Sequence, residues 1–137
     1  MWCAASSCAA QSLIDVRDIA AVAAKIALNP AAHADKAYTL TGGESLTDTE
    51  RVAILSTVSR KPLGFTPISV EDAANTMKTE WGMPEVRVDW MSSLNQIIST
   101  GSAAGISPYV QTLLGRAPIK FQQFAKGYVT LWHKASS

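Results

Sequence analysis

Asp15, Arg17 and Asp18 form the densest group of charged side chains in the chain. Two carboxylates with a guanidinium between them can hold one acid ionised and leave another to move a proton. The same residues suit a plainer task. They stand just before an apolar-periodic run, where a carboxylate accepts the free amides of a helix N-terminus and an arginine ties the corner by an ion pair. The position favours capping over catalysis.

The remaining reactive side chains are sparse. His33 lies in an Ala-rich loop and His133 near the C-terminus, neither with a carboxylate or thiol at a useful spacing, so both read as solvated. Cys3 and Cys8 match no common zinc-ligand spacing and have no histidine nearby. They read as two free thiols, which fits a reducing compartment and a cytoplasmic location. The chain contains no serine nucleophile elbow, no metal-ligand cluster and no phosphate loop. The sequence therefore assigns no catalytic, cofactor-binding or metal-binding residue. Trp81, Met83, Trp90, Met91 and Leu94 are a different matter. Aromatic and thioether side chains at helical spacing form ordinary helix core, and they also line apolar pockets for flat molecules.

The elements that would position these groups follow from periodicity and punctuation. Ile19, Val22, Ala23, Ile26 and Ala27 mark one face of a helix that Asn29-Pro30 stops. Leu13–Val16 reads as a short strand or entry segment. Ala37–Thr41 reads as a strand ending at Gly42-Gly43. Thr47-Asp-Thr-Glu50 is a capping box for a helix with Val52, Leu55 and Val58 inward. Phe65–Ile68 reads as a second strand, so the pair predicts a βαβ unit. Ser69 to Asp72 opens the next helix, which runs to Trp81–Pro84. Pro84 suits the first turn of another, with Val86 or Val88, Trp90, Met91, Leu94, Ile97 and Ile98 apolar and Gly101 beyond its end. Ser107-Pro108 begins a short helix closed by Gly115. The last starts near Phe121, after a Lys120 that caps poorly, with Phe124, Ala125, Tyr128 and Trp132 inward.

Composition sets the outer bounds. The 137 residues are 47% hydrophobic and 17% charged, which suits one globular domain. Residues 1–12 read as a loose N-terminus and 13–134 as the domain. A net charge of +1, with the basic residues scattered, argues against nucleic acid as a partner. No apolar run reaches the roughly 18–20 residues that span a bilayer.

Four stretches in this order resemble the NmrA-like family of atypical short-chain dehydrogenases/reductases. They are Ile14-Asp-Val-Arg-Asp-Ile-Ala-Ala-Val-Ala-Ala24, Ala37-Tyr-Thr-Leu-Thr-Gly42, Ala53-Ile-Leu-Ser56, and Leu114-Gly-Arg-Ala-Pro118 followed by Phe121-Gln-Gln-Phe124. The resemblance covers residues 13–132. It implies a helix-rich α/β fold with two or three short strands and about six helices, the C-terminal part of a Rossmann-like architecture. It also implies that the N-terminal dinucleotide-binding sheet is missing, because no strand–G-x-x-G-x-x-G–helix sequence is present. Two or three short strands are too few for the buried parallel sheet such a fold needs.

The family's Tyr-x-x-x-Lys pair is absent as well: Gly42, Leu113 and Trp132 stand four residues after Tyr38, Tyr109 and Tyr128. In such a family the C-terminal helices form the lid of the substrate cleft beside the nicotinamide. The resemblance thus makes Trp81, Met83, Trp90, Met91 and Leu94 pocket candidates. It implies a parent protein that uses NADP or NAD to reduce a small carbonyl or quinone-like substrate, with no cofactor bound by this segment alone. The same family includes NAD(P)-sensing regulators that bind a protein partner, and that reading stands as the alternative.

Overall fold

Ala-rich composition and a capping aspartate make the first helix. The computed structural model describes residues 2–4 and 9–130. Helix α1 spans Val16–Leu28, and Asp15 caps it by accepting the Arg17 amide. The Asn29 amide donates to the Ile26 carbonyl at 3.1 Å, and Pro30 then opens a single 3-10 turn, Pro30–His33. Five further helices follow among the described residues: α2 Asp48–Ser59, α3 Val70–Thr79, α4 Glu85–Ser99, α5 Tyr109–Leu114 and α6 Phe121–Gly127.

The strands are short. β1, Trp2–Ala4, pairs in parallel with β2, Thr66–Ile68, in the register Trp2 to Thr66. This corrects two expectations. Ala37–Thr41 forms no strand, so the expected βαβ unit across α2 does not exist among the described residues. Its β-rich composition is not enough, because a strand needs a neighbour to take its amides and carbonyls. The partner of residues 66–68 is β1 instead. Leu13 and Ile14 are likewise irregular chain leading into α1.

Contacts group the residues into two compact units. One comprises Met1–Gln11 with Leu46–Ala104, the other Ser12–Ser45 with Gly105–Ser137. In the first unit, Gln11 and Leu46 exchange backbone hydrogen bonds at 3.0 Å. The capping box at α2 forms as expected: Glu50 Oε2 accepts the Thr47 amide at 2.8 Å and Thr47 Oγ1 accepts the Glu50 amide at 3.3 Å. Val52 and Leu55 are buried, and Ser59 is buried where Val58 was expected to be. Ser69 caps α3 by accepting the Asp72 amide at 2.9 Å. Pro84 stands just outside α4 as its N-cap, and Gly101 follows its end at φ +81°. Ala73, Met77 and Val88 form the core between α3 and α4.

In the second unit, α1 packs against α5, and Val22, Val110, Leu113 and Ala125 are buried. The buried face of α1 is not the one expected. Asp18 and Val22 point inward with Ile26 half-buried, whereas Ile19, Ala23 and Ala27 are exposed. Asp18 takes the inward position because the Ile119 amide and the Arg116 guanidinium meet it there. Gly115 ends α5 in the left-handed region at φ 69°. Lys120 has no side-chain acceptor, so Gln123 Oε1 caps its amide at 2.9 Å instead. Tyr128, expected inward, is 39% exposed. Trp132, His133 and the Cys8 thiol lie outside the described residues.

Candidate functional site

The five pocket candidates all lie in the first unit, on the α3–α4 turn and on α4. They do not share one environment. Met83 and Met91 are half-buried against the Ala73, Met77 and Val88 core. The Met83 amide donates to the Met77 carbonyl at 2.9 Å, and Lys78 Nζ lies 3.1 Å from Glu85 Oε1, so the turn is tied at both sides. Trp81, Trp90 and Leu94 face outward at 55%, 65% and 37% exposure. Val86 and Ile97 are exposed on the same helix. The positions 86, 90, 94 and 97 recur every three or four residues, so α4 carries an outward apolar stripe besides its buried Val88–Met91 side. The structure thus brings the two methionines into core and leaves the two tryptophans and Leu94 on an open face.

The charged corner lies in the second unit. Arg17 grips Asp15 with both ends of its guanidinium, Nε to Oδ1 at 2.8 Å and Nη2 to Oδ2 at 2.6 Å. These hydrogen bonds hold the Asp15 carboxyl below the ordinary carboxylate range, against a smaller opposing effect of burial. Asp18 is fully buried and turns away from that pair. Its Oδ2 accepts the Ile119 amide at 2.7 Å, and its Oδ1 lies 2.7 Å from Arg116 Nη2. Both carboxylates therefore hold backbone and cations in place, the capping and tying role their position favours. His33 departs from expectation. It is half-buried, with Nδ1 2.8 Å from the Tyr38 hydroxyl, and Tyr38 in turn packs edge-on against Tyr109.

The corner borders an apolar cavity of about 170 Å³ lined by Leu13, Ile14, Val16, Ile119, Phe121 and Phe124, with Asp15 at its edge. The Phe121 and Phe124 ring centroids are 5.9 Å apart at 29°. Sequence reasoning did not single out this cavity. Its only local trace is the Phe121-x-x-Phe124 pair, which reads equally well as helix core.

The N-terminal turns of the four longer helices are negatively charged. A pyrophosphate needs free amides and no competing negative charge. Here the first turns of the four longer helices each carry a carboxylate: Asp18 in α1, Asp48 and Glu50 in α2, Glu71 and Asp72 in α3, Glu85 in α4. No group of three or more metal-ligating side chains occurs among the described residues, and no described helix is long and apolar enough to cross a membrane.

No family model matches the chain. Individual proteins do. Over 124 residues it is 36% identical to the NAD(P)H azoreductase of Xenophilus azovorans, an alignment covering 90% of this chain and 43% of that protein. It is 34% identical to the (4-alkanoyl-5-oxo-2,5-dihydrofuran-3-yl)methyl phosphate reductase of Streptomyces griseus over 82% of this chain and 39% of the relative. Among solved structures, the triphenylmethane reductase of Citrobacter sp. superposes with a TM-score of 0.80 at 26% identity, over 95% of this chain and 44% of that one. An NADPH-dependent quinone oxidoreductase from Escherichia coli gives 0.80 at 25% identity, over 92% and 45%. The chain thus spans about two-fifths of the length of the curated relatives it matches. Its helix-rich architecture is that of the C-terminal part of NAD(P)-binding reductase folds.

Proposed function

We propose that this chain is the C-terminal, substrate-side portion of an NmrA-like oxidoreductase. The parent would use NADP or NAD to reduce a small carbonyl or quinone-like molecule in the cytoplasm. The observation that carries this reading is the 36% identity to an NAD(P)H azoreductase across 90% of the chain. Superposition on a triphenylmethane reductase and an NADPH-dependent quinone oxidoreductase supports a conjugated, quinone-like substrate. Trp81, Trp90 and Leu94 offer the exposed apolar surface that such a molecule would meet, with Met83 and Met91 behind them. The regulator reading gains no support, since the relatives named above are reductases.

The cofactor belongs to the rest of the parent. When bound it supplies the hydride. The residues of this chain do not suit its pyrophosphate, because the first turn of each longer helix carries carboxylate charge. The 137 residues alone are therefore expected to bind neither NADPH nor NADH at micromolar concentration. Saturable quenching of NADPH fluorescence by the isolated chain would refute this part.

The activity is tested by reading the genomic sequence upstream of Met1 for the rest of the parent. A strand followed by G-x-x-G-x-x-G there, with NADPH oxidation by quinones or azo dyes in the extended protein, is the expected result. An extended protein that binds NADPH and turns over none of a broad substrate panel would replace the reductase reading with the regulator.

A further inference from the structure

The second unit has a site that owes nothing to the residues of that reading. Its cavity of about 170 Å³ is too small for a drug-sized molecule, which takes roughly 300–1,000 Å³. It is close to the size of an apolar cavity, about 150 Å³, that stays dry and admits benzene. Two of its walls are the Phe121 and Phe124 rings, and a guest ring gains offset or edge-on contact with them. The aliphatic side chains of Leu13, Ile14 and Ile119 form the rest of the wall, and one side of the pocket opens to solvent.

These walls are held by more than packing. Asp18 Oδ2 accepts the Ile119 amide, and Glu44 Oε1 accepts the Phe121 amide at 2.7 Å. Alternate amides of one segment are thus anchored by carboxylates from two other parts of the unit. The one charged group at the cavity edge, Asp15, is already neutralised by Arg17. A guest therefore meets a preformed, apolar and electrically quiet space, which lowers the cost of ordering on binding.

We propose that this cavity binds a single aromatic ring of a small, uncharged molecule, phenol being the size it fits. Asp18 and Glu44 act as positioning residues for its wall. Titration of phenol into the 137-residue chain, followed by methyl NMR, tests this. Saturable shifts are expected at Leu13, Ile14, Val16 and Ile119, with the Val88 methyls of the other unit unmoved. Leu13 is 44% exposed, so Leu13→Trp can fill the cavity without disturbing the buried Val22 and Val110, and it should abolish the phenol shifts. Should that variant unfold, Val16→Phe at a 70% exposed position does the same work. Absence of saturation, shifts spread equally to Val88, or undiminished phenol binding by a folded blocking variant would each overturn the proposal.

Discussion

The amide of Ile119 donates to Asp18 Oδ2 at 2.7 Å, joining residues 101 positions apart. Asp18 has no exposed side-chain surface, and its second oxygen meets Arg116, which is 46% exposed. The carboxylate thus fastens the Arg116–Ile119 segment onto the first turn of α1. Removing it leaves a part-buried amide without an acceptor and a cation without its partner. Asp18→Ala should destabilise the unit by about 2–4 kcal/mol, below the full cost of breaking a buried pair because Arg116 reaches solvent. Asp18→Asn keeps an acceptor for the amide and should cost about half as much. Urea midpoints of the two variants check the order; an Asp18→Ala midpoint equal to the unaltered chain's would remove Asp18 from this role.

Gly42 shows the opposite kind of constraint, set by space instead of charge. Its amide donates to the Ser12 carbonyl at 3.4 Å, and a Cβ on it would run into the Leu13 carbonyl oxygen. Backbone cannot yield there as a flexible side chain can. Gly42→Ala should cost more than about 3 kcal/mol, in the range that overpacking reaches at its worst. Gly43→Ala meets only the Pro118 ring at 3.3 Å and should be far milder. Thermal unfolding of the pair reports the contrast, and equal melting temperatures would show that the 12–14 and 41–43 segments do not cross so closely.

What could be read ahead of the fold was what is decided locally. The Thr47–Glu50 capping box and the Gly101 and Gly115 helix ends depend on a few neighbouring residues, and each forms; of the two aspartates able to cap α1, Asp15 does so. The strand expected at Ala37–Thr41 depended on a partner that periodicity cannot see. Instead Thr41 Oγ1 accepts the Ser107 amide at 2.8 Å, a side chain standing in for a ladder. Asp18 was hidden for the same reason. A carboxylate at the third position of a helix looks like surface charge until a segment a hundred residues later comes to meet it. His33 looked solvated because its partner, Tyr38, becomes a neighbour only through the turn at Ala34 and Asp35 that follows the 3-10 helix. Among the pocket candidates, helical spacing grouped Met91 with Trp90 and Leu94. It could not tell which side of α4 the Ala73–Met77 core would take.

Asp15 and Glu50 make stability depend on acidity in one direction. Both carboxyls titrate below their ordinary range in the folded chain, Asp15 chiefly through its hydrogen bonds from the Arg17 guanidinium and Glu50 through the Thr47 amide. A depressed folded pKa means that the ionised form is the one folding favours. The contribution is whole above the ordinary carboxylate range and is lost as pH falls through the lowered values. Asp15→Asn retains a capping oxygen but not the ion pair. Urea midpoints between pH 7 and pH 2.5 should therefore fall less steeply on acidification for Asp15→Asn than for the unaltered chain. Parallel curves would mean that the Arg17 grip contributes nothing.

Trp90 and Met77 separate surface from core in the α3–α4 hairpin. Met77 is 5% exposed and central to the cluster with Ala73 and Val88. Met77→Ala should cost about 2–4 kcal/mol, as methionine truncation in a packed interior does. Trp90 is 65% exposed, and Trp90→Ala should change stability by no more than about 0.5 kcal/mol. If the outward stripe of α4 faces substrate in the extended protein, that same silent substitution should raise KM for a quinone several-fold with little change in kcat, the mark of lost uniform binding. Leu94→Ala should act in the same sense and more weakly, as a smaller apolar contact. Steady-state NADPH oxidation with a quinone series measures both. Unchanged KM in Trp90→Ala and Leu94→Ala would detach this face from the substrate and leave it as exposed helix surface.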